Sequence, residues 1–318
     1  MHEHTMNHSV VYSELGGPEV LHLLETPMPT AGEGQVVVRI TAAGVNPIDA
    51  KQRRGTRPLP PITEPRHVGF DGAGVVTELG PGVTELALGD RVAITDTRGT
   101  YAEFLTVDER SAARIPEGVS DEEAAAIGTP AATAFQAVNS LDIRAQDMLL
   151  IHGGSGAVGQ AAVQFAVDRG ARVIATASPA NHPRLRQLNA MPVAYGPGLI
   201  ERVRELAPFG ITAVLDAAGT DEAIETSFEL LEDRSRIGTI VRGADAPGWG
   251  IEAWSGGSPH PLTSQQMAWR HEAIPLTLEL LATGRFSVEI GTRLPLADFV
   301  QAHRLLDAGE GGKIILLP

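Results

Sequence analysis

The segment Leu149-Leu150-Ile151-His152-Gly153-Gly154-Ser155-Gly156-Ala157-Val158-Gly159-Gln160 carries the spacing with the clearest chemistry. Gly154, Gly156 and Gly159 form a G-x-G-x-x-G pattern between an apolar strand and an amphipathic helix. One glycine makes the tight turn and the next lets backbone approach a diphosphate. The third lets helix and strand pack closely. The helix N-terminus adds N–H groups and partial positive charge. Gly153, Gly154, Ser155, Gly156, Ala157 and Val158 are therefore candidate cofactor contacts. His152 reads as a packing or hydrogen-bonding residue.

The next strand selects the dinucleotide. An acid about 20 residues on would bind a free ribose 2′-hydroxyl. Here the strand ends Ala175-Thr176-Ala177-Ser178, followed by Asn181, His182, Arg184 and Arg186. Hydroxyl, amide and basic groups suit a 2′-phosphate, so NADPH is the expected cofactor. Arg184 reads equally well as a phosphate ligand or as a solvated surface residue.

These residues need a scaffold, and the pattern supplies two. Before Ser120 the chain is β-rich: 36–40, 74–76 and 91–94 read as strands between Gly/Pro turns. From Ser120-Asp121-Glu122-Glu123 onward, an N-cap opens an Ala-rich helix and strands and helices alternate. Strands are expected at 148–152, 172–177, 213–216 and 236–241, with helices at 157–169, 199–206 and 223–231. Such alternation predicts a parallel sheet wrapped by helices. Residues 243–261 read as a loop, followed by helices at 267–282 and 296–306 and a strand at 314–317. Trp249, Trp254 and Trp269 sit around that loop, as an aromatic lid or as its half-buried anchors.

Composition narrows the function classes. The 318 residues hold 25 basic and 39 acidic side chains, a net charge of −14, which disfavours nucleic acid as a partner. No cysteine is present, which excludes disulfides, thiolate-held zinc and thiol catalysis. No apolar run reaches the ~20 residues of a membrane span. The start, MHEHTMNHSV, lacks a signal-peptide core, and His2, His4 and His8 read as a loose tail. A cytoplasmic protein with no membrane partner is the expectation.

Several ordered segments resemble the medium-chain dehydrogenase/reductase superfamily, in its zinc-free quinone oxidoreductase (zeta-crystallin-like) branch. They are Ala42 to Asp49 with Arg53 and Gly55, Gly69 to Val76, Gly89 to Val92, Gly99 to Phe104, Ala124 to Ala126 with Thr133-Ala134, and Gly309 to Leu316. The resemblance implies an α/β protein with a GroES-like β-rich catalytic domain, residues 1–122 completed by 265–318. A Rossmann doubly wound parallel-sheet domain, residues 123–264, would hold NADP. Zinc relatives carry Cys where Asn46 stands and His where Phe70 stands, so no metal is expected. His67 alone cannot make a zinc site.

By the same resemblance, Asn46 and Thr133 are the catalytic candidates. Asn46 offers an amide N–H to a substrate oxygen, or it shapes the turn before Pro47. The Thr133 hydroxyl would meet the nicotinamide. Asp49 would hold the loop or orient Arg53, and a proton-donor role is disfavoured because carboxylates have usually lost their proton near pH 7. Lys51 and Arg53 would attract an anionic group or be solvated. Ala218, Ile240 and Val241 are expected to line the cofactor, and Tyr195 to pack near its adenine ribose phosphate or in the core. The implied function is NADPH-dependent hydride transfer to a quinone or α,β-unsaturated carbonyl without a metal. The alternatives are an NADPH-binding protein with a structural or sensing role, and a trans-acting enoyl reductase. A homodimer, pairing through a sheet edge near 236–241, is the expected assembly.

Overall fold

The computed structural model describes residues 6–57, 59–254, 258, 260–309 and 311–318. The chain divides into two compact units, Met1–Thr129 with Ile274–Pro318, and Pro130–Ala273.

The first unit is built on β-structure. β1 (Met6–Tyr12), β2 (Leu21–Pro27) and β4 (Arg66–His67) form a three-stranded antiparallel sheet in the order β2-β1-β4. His8, read as tail, stands in β1 and its Nδ1 meets Glu103 at 2.9 Å, whereas His2 and His4 lie outside the described residues. A larger mixed sheet of seven strands runs β15-β16-β3-β5-β6-β8, with β7 also on β3. Its strands are β3 (Gln35–Gly44), β5 (Asp71–Leu79), β6 (Arg91–Ile94), β7 (Phe104–Asp108), β8 (Ala112–Arg114), β15 (Ile290–Pro295) and β16 (Lys313–Leu317). Alternate residues of β3, Val36, Val38 and Ile40, enter a core with Val76, Val92, Ile94, Ile314 and Leu316. Between β3 and β4 lies α1 (Pro47–Arg53), opened by Asn46 at its N-cap and Pro47 at its first position. α9 (Phe299–Ala308) is the unit's C-terminal helix.

Two long helices run through the unit boundaries. α2 (Asp121–Ser140) starts with a reciprocal cap, in which the Glu123 amide donates to Ser120 Oγ at 3.2 Å and the Ser120 amide to Glu123 Oε2 at 2.9 Å. α8 (Ser264–Ala282) begins in the second unit and ends in the first. Each contains a proline beside a boundary, Pro130 and Pro275. A proline lacks the N–H that would continue the helix ladder, so each helix is locally weakened where the chain passes between units. The observed divisions therefore fall inside helices rather than at 122/123 and 264/265.

The second unit carries the alternating pattern. Its sheet comprises β9 (Met148–His152), β10 (Arg172–Thr176), β11 (Met191–Val193), β12 (Ala213–Asp216), β13 (Ile237–Thr239) and β14 (Glu252–Ala253). All pairings are parallel, in the order β11-β10-β9-β12-β13-β14. This is the doubly wound order, with its switch point between β9 and β12. α3 (Ala157–Asp168), α4 (His182–Gln187), α5 (Leu199–Leu206), α6 (Asp221–Leu230) and the short α7 (Ala246–Trp249) connect the strands.

Two expectations are corrected here. The stretch 236–241 is not a sheet edge, because Ile237–Thr239 pairs with β12 on one side and β14 on the other. The stretch 243–261 is not all loop, because it carries α7 and β14. Trp254 explains both. It is 2 % exposed and lies on Gly238, where an added Cβ would be 2.3 Å from the indole. That ring anchors the segment to the sheet and is no lid. Trp249 packs edge-on to Phe228, at 6.1 Å between ring centres.

Candidate functional site

The glycine turn stands at the carboxyl end of β9, beside the switch point. Gly153 takes a φ of +75°, and its amide donates to Thr176 Oγ1 at 3.0 Å. The Gly154 amide donates to the Thr176 carbonyl at 2.9 Å, so β10 fixes the turn. Two glycines are required by the protein's own packing. A Cβ on Gly154 would meet Ala175 Cβ at 2.6 Å, and one on Gly159 would meet the Gly153 carbonyl at 2.2 Å.

Gly156 differs. A Cβ there would meet only the Gly153 carbonyl, at an ordinary 3.5 Å, and its φ of −70° suits any residue. Nothing inside the protein demands glycine, and both Gly156 and Ala157 are exposed. Gly156 is the N-cap of α3 and contributes no side-chain cap, so the first-turn amides are open to an external acceptor. A bare backbone beside open N–H groups is the cradle a diphosphate requires.

Gln160 ties a cation to this cradle. Its Nε2 donates to the Ser155 carbonyl at 2.9 Å, and its Oε1 accepts from Arg184 Nε at 2.8 Å. Arg184 is thus braced toward the turn through one side chain and is not an untethered surface residue. Sequence spacing alone assigns Gln160 no role, although it directly follows the last motif glycine. Ser178 is half-buried, and its Oγ accepts from Asn181 at 3.2 Å. Tyr195, at 59 % exposure, is not a core residue.

The ends of β12 and β13 are fixed by Asp216. Its carboxylate accepts from the amides of Ala218 at 3.0 Å and Gly219 at 2.8 Å, and from Thr239 Oγ1 at 2.8 Å. Thr239 Oγ1 in turn accepts from the amides of Val241 and Arg242, and the Ile240 amide donates to the Asp216 carbonyl. Ala218 is exposed, and Ile240 and Val241 are half-buried. His152 is buried at the end of β9, where burial lowers its pKa to about 4 and keeps it neutral. Thr133, on α2, is 6 % exposed, and its Oγ1 accepts from Arg270 Nη1 at 3.2 Å. No acceptor for the Thr133 hydroxyl proton stands among the described residues.

The first unit holds a second polar centre, which is closed. Asn46 is 1 % exposed. Its Nδ2 donates to Asp71 Oδ2 at 2.8 Å and to the Gly44 carbonyl at 3.3 Å, while its Oδ1 accepts from Lys313. Both amide hydrogens are therefore committed, and the substrate-donor role suggested for Asn46 does not fit this geometry. Asp71 also accepts the Thr129 amide at 2.8 Å and the Thr129 hydroxyl at 2.8 Å. Asp49 Oδ2 accepts the Asn46 amide at 2.8 Å and Tyr101 Oη at 3.0 Å. Burial pushes the Asp49 pKa up to about 7, with the Asp71 charge adding to the shift. The ordinary carboxylate pKa assumed for Asp49 from the sequence therefore does not hold in the fold.

Arg53 is corrected as well. It is fully buried and donates to the Gly16 carbonyl at 2.7 Å, Asp307 at 3.1 Å and His303 at 3.3 Å, so it attracts no external anion. Lys51 is half-buried, and burial with neighbouring Arg57 lowers its pKa. Among the described residues no three His, Cys, Asp or Glu side chains gather as metal ligands.

Comparison with known proteins places both units. Residues 32–117 match the alcohol dehydrogenase GroES-like domain, and residues 157–245 match the zinc-binding dehydrogenase family. Human quinone oxidoreductase is 28 % identical over 328 residues, covering 96 % of this chain and 95 % of that protein. Escherichia coli quinone oxidoreductase complexed with NADPH superposes with a TM-score of 0.83 at 26 % identity, covering 98 % of this chain and 100 % of the other. An NAD-dependent alcohol dehydrogenase structure is 31 % identical, with a TM-score of 0.82 and 98 % and 99 % coverage. The chain also matches a segment of a Mycobacterium tuberculosis mycocerosic acid synthase-like polyketide synthase at 31 % identity, spanning 90 % of this chain but 14 % of that protein. The chain belongs to the quinone oxidoreductase family of the medium-chain dehydrogenase/reductases, combining a GroES-like domain with a Rossmann domain.

Proposed function

We propose that this oxidoreductase uses NADPH to reduce a quinone or an α,β-unsaturated carbonyl without a metal. The observation that carries the cofactor part is Gly156, whose missing side chain serves no internal packing. The amides at the start of α3 would hold the diphosphate. Ser178, the braced Arg184 and exposed Tyr195 would surround the adenosine 2′-phosphate. Ala218, Ile240, Val241 and Thr133 would line the nicotinamide half. When bound, NADPH supplies the hydride.

The substrate class follows from the donor set. Reducing a simple ketone builds alkoxide charge that metal enzymes stabilise with a Lewis acid. Asn46 and Phe70 stand where zinc relatives carry ligands, and a phenyl ring has no lone pair to give. The oxygens of Asn46 and Asp71 already face the ammonium of Lys313. A quinone or enone spreads the incoming charge itself and needs only a modest hydrogen-bond donor. With Arg270 donating to its oxygen, the Thr133 hydroxyl can direct its proton to such an acceptor. An enoyl thioester is a second acceptor class, because hydride addition to its double bond likewise leaves an enolate.

Absorbance loss of NADPH, followed with a panel of quinones, enones and enoyl thioesters, tests this function. Turnover with one class and none with simple ketones is expected. Tight NADPH binding without oxidation by any acceptor would favour a structural or sensing role. A homodimer belongs to the same proposal, with β14 rather than β13 as the sheet edge, and sedimentation would give twice the 33.5 kDa chain mass.

A further inference from the structure

Lys313 is the first residue of β16, yet it is only 4 % exposed. A lysine there costs desolvation of its charge, and burial does lower its pKa against the opposing pull of Asp71 and Asp49. The fold makes room for it. A Cβ on Gly44 would strike the Ala125 carbonyl at 2.1 Å and Lys313 Cε at 2.9 Å, so glycine in β3 lets the lysine stem pass.

The ammonium ends among groups from two elements, α1 and β5. Asn46, at the N-cap of α1, accepts from it, and Asp71 of β5 lies 3.6 Å away. Asp49 of α1, itself bonded to Tyr101, adds a further carboxyl. Asp71 then reaches α2. Both its oxygens accept the Thr129 amide, at 2.8 and 2.9 Å, and one accepts the Thr129 hydroxyl. The next residue, Pro130, has no amide to give. The turn of α2 that lacks this donor is therefore held by a carboxylate from β5. Thr133 follows one helical turn after Thr129 on the same face.

We propose that Lys313 is a positioning residue for the reduction. By fixing Asn46 and Asp71, it holds Thr129 and the Pro130 turn in the arrangement that presents the Thr133 hydroxyl. The functional half of this inference rests on the proposed reductase reading. The structural half does not.

The test uses the full-length protein with Lys313→Met, Lys313→Arg, Thr129→Val and Thr133→Val. Lys313→Met should lower kcat about tenfold with the NADPH dissociation constant nearly unchanged, and Lys313→Arg should recover most of the loss. In a Thr133→Val background the same Lys313→Met change should have less than about a twofold effect, because both act through one hydroxyl. Thr129→Val, which keeps Lys313 and the Thr129 amide, should lower kcat in the same direction. A merely structural role would give equal losses with and without Thr133, and that result overturns the proposal, as does an unchanged kcat in Thr129→Val.

Hydrogen exchange separates this outcome from failure of the reductase reading. Should the wild-type protein oxidise NADPH with no acceptor, that reading fails. Faster exchange of the 126–134 peptide in Lys313→Met, with second-unit peptides near β9 unchanged, would still support the positioning role. Unchanged exchange at 126–134 would overturn it.

Discussion

The two units each hold a dense polar centre, but the centres differ in what they leave open. In the first unit, Asn46, Asp49, Asp71, Tyr101 and Lys313 are all buried and directed largely at one another. In the second, the turn exposes Gly156 and Ala157, and the first amides of α3 have no side-chain cap. Closed networks fix geometry, because breaking one leaves an uncompensated buried group. Open amides at a helix start await a ligand. The contrast assigns support to the first centre and binding to the second.

The contrast can be broken most sharply at Gly156. Gly156→Val should lower NADPH affinity about a hundredfold or more, the cost of losing two charge-assisted bonds, while the melting temperature stays within a degree or so of wild type. Gly159→Val has no such freedom, since its Cβ would strike the Gly153 carbonyl, and calorimetry should show marked destabilisation. Equal destabilisation by both substitutions would erase the distinction drawn between these glycines.

Trp254→Ala should cost about 3–5 kcal/mol in denaturant unfolding, because it empties the space over Gly238. Arg184→Ala is expected to weaken NADPH about tenfold and to leave NADH binding almost unaffected, since only the former carries the 2′-phosphate. Parallel losses for both dinucleotides would place Arg184 at the diphosphate instead.

The smallest effect lies in pH. Asp49 is raised by burial to about 7, so the folded state binds a proton that the unfolded chain releases near pH 4. Its contribution to stability therefore falls as pH rises from about 4 to 7. Asp49→Asn should gain melting temperature relative to wild type across that window and plateau above it. His303 has the opposite sign. Burial, aided by Arg53, lowers its pKa to about 4, so its contribution is lost as pH falls from about 6.5 to 4. His303→Gln should flatten that acid limb.

What the sequence disclosed divides along the same line. The glycine turn was legible because strand, turn and helix are contiguous, and each glycine has a local reason. β9, α5 and β12 were bounded correctly for the same cause. The closed centre was not legible. Residues 46, 71, 129 and 313 meet only through tertiary contacts between strands and helices, and Asn46 read as a donor or a turn residue because its partners lay up to 267 positions away. A lysine opening the apolar run Lys313-Ile314-Ile315-Leu316-Leu317 was the one local hint. β14 escaped because two residues carry no periodicity, and Trp254 read equally as a lid or as an anchor of the loop. Arg53 read as an anion attractor or a solvated charge because its partners, Gly16, His303 and Asp307, are scattered along the chain.

Direct titration with NADPH, followed by nicotinamide fluorescence in wild type and Gly156→Val at constant ionic strength, bears hardest on the assignment of binding to the open turn. Saturable binding of one dinucleotide per chain, lost in the variant while its fold persists, is the predicted result. No measurable NADPH binding to the wild-type chain, or equal binding to both proteins, would contradict it.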